Sequence, residues 1–225
     1  MSEGRLALQA RLGAPSEPAL PGGLHRLGLD DRRDGLLFVP PDYRPDRAMP
    51  LVVMLHGAGG DAPGALAPFV ARAEELGLVL VAPESRGRTW DVLEGGYGPD
   101  VVFVTRALDH VGRRLALDPR RMVVEGFSDG ASYALGLGLA NGDLFTHVVA
   151  FSPGFVPRGR GVGRPKVFVS HGVDDRVLPI ERCSRRLVPE LRRKGYDLSY
   201  LEFPEGHVVP PAIAGEALSW LAAGA

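Results

Sequence analysis

Four short stretches of this chain carry residues whose types and spacing can do chemistry. The first is Gly126-Phe127-Ser128-Asp129-Gly130, led in by the apolar run Met122-Val123-Val124 and followed by a small-residue segment from Ala131 to Asn141. That pattern reads as a buried strand, a sharp turn and a helix, with Ser128 held at the turn in a strained conformation. Glycines two residues to either side of Ser128 let strand and helix approach closely. A helix that starts just after Ser128 turns its free N–H groups and the positive end of its dipole toward the turn, which favours negative charge developing on a bound oxygen. A serine hydroxyl is a weak nucleophile near neutral pH and needs a base within hydrogen-bond reach. Histidine is the usual base, because its pKa lies near working pH, and an acid must then hold the imidazole in the correct tautomer.

Two further stretches supply these partners: His171-Gly172-Val173-Asp174-Asp175 and Pro204-Glu205-Gly206-His207. The chain has six histidines, His25, His56, His110, His147, His171 and His207. Only His207 follows every candidate acid in the order nucleophile, acid, base, so elimination selects it as the base. Asp174 and Asp175 compete for the acid. Asp175 is favoured, because it lies further into its loop and precedes Arg176-Val177-Leu178-Pro179, which can anchor it. Taken singly, His207 reads as a surface loop residue and Asp175 as a turn residue. Their joint occurrence with Ser128 at strand ends, in the required order, is what carries the assignment.

The fourth stretch is His56-Gly57-Ala58-Gly59-Gly60. Glycines let a backbone approach a substrate and turn an N–H toward it. The Ala58 N–H, with Gly59 as the alternative, is expected to pair with the Asp129 N–H as an oxyanion hole, where one donor is typically worth on the order of 10²–10³ in rate. His56 is expected to support the loop. A phosphate-binding reading fails, because no Gly-Lys-Ser/Thr follows. Trp90 and Tyr97, on the loop from Pro83 to Pro99, are expected to line the substrate pocket, and a structural role for them is equally open.

The elements that must position these residues follow from hydrophobic periodicity. Leu51–His56, Leu78–Ala82, Met122–Phe127, His147–Phe151, Lys166–Ser170 and Leu198–Phe203 are short apolar runs, as expected for strands buried on both faces. Between them, spacings of three and four predict helices over Leu66–Leu76, closed by Gly77, and over Val101–Leu115, ended by Asp118-Pro119. A helix over Glu181–Lys194 is expected to kink or restart at Pro189, and Ala212–Ala223 closes the chain. Arg5–Leu12, Leu24–Leu29 and Gly35–Val39 read as antiparallel lead-in strands at a sheet edge. Alternating strands and helices predict an α/β class with a mostly parallel central sheet, helices on both faces and a site at the carboxyl ends of the strands.

Length and composition agree with one soluble domain spanning 1–225, its first 34 residues forming the edge strands. Hydrophobic residues make up 45% of the chain and charged residues 24%, as in ordinary globular proteins. A formal net charge of -1 gives no basic field for nucleic acid. The basic residues Arg182, Arg185, Arg186, Arg192, Arg193 and Lys194 read as a solvated helix face. With one cysteine, Cys183, no intrachain disulfide forms. No apolar run has signal-peptide or membrane-span length, so a cytoplasmic location is expected. No Cys/His/Asp set has zinc-ligand spacing, and no metal or organic cofactor is expected. The expected partner is a small-molecule substrate, and a homodimer is left open.

The four motifs together resemble those of the α/β-hydrolases. More narrowly, they are similar to esterases grouped with the phospholipase/carboxylesterase proteins and the polyhydroxybutyrate-depolymerase-like esterases. The matching pieces are Leu55–Gly60, Gly126–Gly130, His171–Asp175 and Gly206-His207, within a region from about residue 35 to the C-terminus. The resemblance implies a serine hydrolase acting on carboxylic esters, with Asp175 as acid at the fifth position of the His-Gly-x-x-Asp element and His207 as base. Thioester and peptide cleavage use the same residues and stay open, as does a binding protein of this fold without catalysis. Asp129 departs from the family, which more often has Gln, Asn or Met there; a carboxylate could repel anionic substrates or bind an amine. The segment Pro153–Pro165 is too short for a large lid, which implies an open site for small or medium acyl groups.

Overall fold

A computed structural model describes residues 14–94 and 96–223; the expected strand at Arg5–Leu12 lies outside them. Eight strands form one sheet: β1 (Gly23–Arg26), β2 (Gly35–Val39), β3 (Met49–Leu55), β4 (Val79–Pro83), β5 (Leu117–Phe127), β6 (His147–Phe151), β7 (Lys166–Gly172) and β8 (Leu198–Phe203). Their spatial order is β1-β2-β4-β3-β5-β6-β7-β8. The pairs β1/β2 and β2/β4 are antiparallel and the rest are parallel. The chain runs from β3 outward to β4, then returns to place β5 on the other side of β3. The β3/β5 boundary is therefore the switch point, where a crevice opens at the strands' carboxyl ends.

Every residue of β3, β4 and β6 is buried, because helices cover both faces of the sheet. On one face lie α3 (Pro99–Gly112), α4 (Asp129–Ala140) and α5 (Ser184–Arg193), packed through Val104, Leu108, Leu135 and Leu187. On the other lie α1 (Ala62–Leu66), α2 (Val70–Leu76) and α6 (Pro211–Ala223), packed through Leu66, Ala73, Ile213 and Leu218.

Several boundaries differ from the sequence expectation, each for a local reason. β1 ends at Arg26, because the Asp34 carboxylate takes the N–H groups of Gly28 and Leu29 and closes a turn. The helix expected over Leu66–Leu76 is two helices, since Pro68 has no N–H to continue the first. Gly77 closes the second in the left-handed region, at φ 63°. Helix α3 ends at Gly112 rather than at Asp118-Pro119, and those two residues belong to β5. Leu117 pairs with Met49, and a register shift between Met49 and Leu51 takes up the irregularity around Pro119. Helix α5 starts only at Ser184 and runs through Pro189 without a restart. Burial of Leu187, Val188 and Leu191 offsets the roughly 3 kcal/mol that an interior proline costs. The basic residues of α5 are exposed, and Cys183 is buried.

Candidate active site

Ser128 sits where β5 meets α4, with φ 58° and ψ -118°. For a non-glycine residue this is a costly conformation, on the order of 1–3 kcal/mol, that persists only where the surroundings over-determine it. The surroundings do so here. The Ser128 N–H donates to the Phe151 carbonyl, prolonging the β5/β6 ladder, and the Ser128 carbonyl accepts the Ser132 N–H in the first turn of α4. Gly126 and Gly130 face each other so closely that a Cβ on Gly126 would stand 2.2 Å from the Gly130 oxygen.

The structure brings Ser128, His207 and Asp175 into one hydrogen-bonded line. His207 Nε2 lies 2.8 Å from Ser128 Oγ, and His207 Nδ1 lies 2.6 Å from Asp175 Oδ2. With Nδ1 donating to the carboxylate, Nε2 is left to accept the serine proton. The other oxygen of Asp175 accepts the N–H groups of Val177 and Leu178, so the residues that follow it do anchor it. Asp174 is exposed and uses only its backbone N–H here, toward Glu205. Burial raises the Asp175 pKa, but the hydrogen bonds from His207, Leu178 and Val177 outweigh it and hold the carboxyl below the usual range. It stays ionised wherever His207 can act as a base.

His171, on β7, is a supporting residue that spacing did not single out. Its Nε2–H donates to the Leu178 carbonyl and stands 3.2 Å from Asp175 Oδ2, while Nδ1 accepts the Ser184 hydroxyl. Burial depresses its pKa, so it is neutral. The side chain braces the same loop that Asp175 caps. The available clue was the first residue of the His-Gly-x-x-Asp element, read only as part of the motif.

Beside Ser128, the N–H groups of Ala58 and Asp129 have no partner among the described residues. The Gly59 N–H does: it donates to the Arg88 carbonyl at 2.7 Å, which removes the alternative donor. Thr89 Oγ donates to Asp129 Oδ2 at 2.7 Å, and Trp90 Nε1 donates to the His56 carbonyl at 2.8 Å. Three consecutive residues of the loop after β4 thus tie down three pieces of the site. The loop itself is folded by Asp100, whose carboxylate accepts the N–H groups of Arg86 and Asp91. His56 supports the glycine loop, as its ring nitrogens engage the Gly57 carbonyl and the Ser85 N–H.

Trp90 and Tyr97, expected at the substrate pocket or in a structural role, do not line the cavity next to the site. Trp90 is completely buried, stacked on Tyr133 with ring centroids 4.9 Å apart, and Tyr97 packs on the same tyrosine. A hydrogen-bonding indole on a loop can fasten that loop to the core. The cavity next to the site is elsewhere. About 340 Å³ in volume, it lies between the glycine loop, α1 with the residues that follow it, Phe127 and Val209. Gly57, one of its walls, adjoins the nucleophile, since an added Cβ would sit in van der Waals contact, 3.4 Å from Ser128 Cβ. Among the described residues no group of His, Cys, Asp and Glu could hold a metal ion, and no helix is long and apolar enough to cross a membrane.

No family model matches the sequence. Solved structures do match in fold. A thermostable esterase superposes with a TM-score of 0.72 at 22% identity, covering 89% of this chain and 62% of that one. FphF, a fluorophosphonate-binding serine hydrolase of Staphylococcus aureus, gives 0.72 at 15% identity over 90% of this chain and 99% of that one. A ferulic acid esterase from Anaeromyces mucronatus gives 0.65 at 17% identity, over 86% and 87%. The chain has the α/β-hydrolase fold that these structures share.

Proposed function

We propose that this protein is a serine hydrolase of carboxylic esters with small or medium acyl groups. The observation that carries the reading is the hydrogen-bonded line from Ser128 through His207 to Asp175, with two unengaged N–H groups, of Ala58 and Asp129, beside it. Ser128 Oγ attacks the ester carbonyl as His207 Nε2 takes its proton. The Ala58 and Asp129 N–H groups meet the oxyanion. Collapse of the tetrahedral intermediate expels the alcohol, protonated by His207, and leaves an acyl-enzyme. A water deprotonated by His207 then releases the acid and restores Ser128. Esterases and a fluorophosphonate-binding serine hydrolase among the structures of the same fold support the same chemistry. The cavity, at the small end of the range for ligand pockets, supports a modest acyl group. A single buried cysteine supports a cytoplasmic location.

The test is hydrolysis of p-nitrophenyl esters from acetate to palmitate by wild type and Ser128→Ala, with fluorophosphonate labelling in parallel. Wild type is expected to hydrolyse the short esters and take the label on Ser128. Ser128→Ala is expected to lose turnover by on the order of 10⁶. A wild-type protein that neither turns over any ester or thioester nor takes the label would overturn the reading.

A further inference from the structure

Glu125 lies beside the site, and the proposed chemistry leaves it without a role. It lies on β5, three residues before Ser128, in register with Met54 and Val149 of the flanking strands. Alternation along β5 puts Val123, Glu125 and Phe127 on one face, that of α1, α2 and α6. Glu125 is 5% exposed, its carboxyl oxygens are not sealed from the cavity's solvent, and no hydrogen bond or ion pair to them is found among the described residues. A carboxyl buried among apolar side chains without a partner is costly, and in native structures such a group calls for an explanation. The explanation is its position, for it lines the 340 Å³ cavity beside Ser128. Three residues of extended chain span at most about 10 Å, so a short ligand chain can reach from one to the other.

The cavity's charged lining is all of one sign. Glu125 and Asp61 line it, with no lysine or arginine, and Asp61 stands at the exposed rim with one oxygen accepting the Gly64 N–H. His56 also lines it, kept neutral by burial and with both ring nitrogens engaged. The other groups around Glu125, Met54, Phe69, Phe127 and Val149, do not titrate. Arg33 does not line the cavity, and its guanidinium is held by the carbonyls of Ser85 and Gly60. A ligand carboxylate would pass Asp61 at the rim and find no lysine or arginine inside, and a purely apolar chain would leave the Glu125 carboxyl without a partner. A primary ammonium brings three donors and the opposite charge.

We propose that Glu125 is a specificity-determining residue that receives a primary ammonium group carried on the acyl chain of the substrate. This rests on the ester-hydrolase reading for the reaction, but not for the binding. Burial holds the Glu125 pKa well above the usual carboxylate range. Binding of R–NH₃⁺ to the –COOH form gives the R–NH₃⁺···⁻OOC pair and releases one proton.

The experiment has two arms. In the first, n-butylammonium and n-butanol are titrated into wild type and Glu125→Gln by calorimetry at pH 7. Wild type is expected to bind butylammonium at least about tenfold more tightly than the Gln variant does. Equal affinity in the two proteins overturns the proposal. Equal binding of butanol and butylammonium overturns it too, in favour of a neutral hydrogen-bonding site. The comparison of butylammonium with butanol in wild type needs no variant and stands whether or not Glu125→Gln folds. In the second arm, kcat/KM is compared for the ethyl esters of β-alanine and butanoate, whose acyl chains differ only by –NH₃⁺ for –CH₃, and likewise for 6-aminohexanoate and heptanoate. At one of the two lengths the ammonium ester is expected to be preferred at least about tenfold by wild type and not by Glu125→Gln. Preference for the neutral ester at both lengths sinks the ammonium proposal alone. If neither kind of ester is hydrolysed while butylammonium binding depends on Glu125, the ester reading fails and the ammonium site stands.

Discussion

Gly130→Ala tests whether the placement of the site rests on the close approach of three backbones. An added Cβ at Gly130 would lie 2.0 Å from the Leu55 oxygen and 2.5 Å from the His56 oxygen, whereas ordinary van der Waals contact begins at 3.4 Å. The end of β3 and the first turn of α4 must therefore separate by about an ångström or more, and no flexible side chain can absorb the difference. The end of β3 carries the Ala58 loop, and the first turn of α4 carries the Asp129 N–H, so the separation moves apart the two N–H groups proposed to hold the oxyanion. A displacement of about 1 Å typically costs on the order of 10² in rate, which corresponds to about 2.7 kcal/mol in the barrier. Overpacking typically adds about 1–3 kcal/mol of destabilisation, and a backbone obstacle belongs at the upper end. The assay is kcat/KM on p-nitrophenyl butanoate, with urea denaturation on the same samples. Gly215→Ala in α6, where a Cβ meets nothing within 4 Å, is the control. It is expected to keep full activity and to gain about 0.5–1 kcal/mol from helix propensity. A Gly130→Ala protein with wild-type turnover and stability would refute the reasoning outright.

Two further outcomes follow from Ser184 and Glu125, neither of which takes part in the proposed acyl transfer. Ser184→Ala leaves Nδ1 of the buried His171 without its donor, which typically costs about 1–3 kcal/mol of stability. It should lower kcat with little change in KM, because His171 acts through the Asp175 loop; kinetics showing a KM effect alone would contradict that role. Glu125 makes stability depend on pH with a definite sign. Burial holds its folded pKa well above the 4.5 usual for a glutamate, so between the two pKa values the native state holds a proton that the unfolded chain has lost. Stability contributed by this group therefore falls as pH rises above about 4.5 until the folded pKa is passed. In urea denaturation at pH 5 and pH 8, the stability of Glu125→Gln relative to wild type should grow with pH, and a pH-independent difference would show that Glu125 is not buried as described.

The sheet was readable because its central strands are buried on both faces and so appear as continuous apolar runs, as in Leu51–Leu55 and His147–Phe151. The residues at their carboxyl ends were readable for the same reason, since a parallel sheet gathers those ends on one edge. What escaped the sequence was set by contacts between distant segments. Trp90 sits on a loop after a strand, where an aromatic ring reads as pocket lining; only its stacking on Tyr133 and its bond to His56 make it a fastener. Gly59 and Ala58 are equivalent in sequence until Arg88, far along the chain, takes one N–H and leaves the other. Prolines misled in both directions. Pro119 lies inside a strand that its register shift accommodates, and Pro189 lies inside a helix whose buried face holds it. Glu125 was invisible as a functional candidate, because a single glutamate in an apolar run gives no hint of whether a partner meets it.

Asp129 and Glu125 bear on the same question from opposite sides of Ser128. A carboxylate next to the nucleophile could serve as an amine site, and the sequence left that open. In the structure Asp129 Oδ2 accepts the Thr89 hydroxyl, so this side chain is committed to holding the loop after β4 against the first turn of α4. Glu125 has no such commitment, and it faces the cavity while Asp129 does not line it. The strand fixes the consequence. With side chains alternating along β5, a residue three positions before the turn and on the face of Phe127 lies under the glycine loop and within about 10 Å of Ser128. Register between β5 and its neighbours thus holds Glu125 at a set distance from the nucleophile, so a ligand group bound by its carboxyl is measured in chain length against Ser128. A preference for one acyl length among ammonium esters, absent among neutral ones, is the kinetic form that this geometry takes.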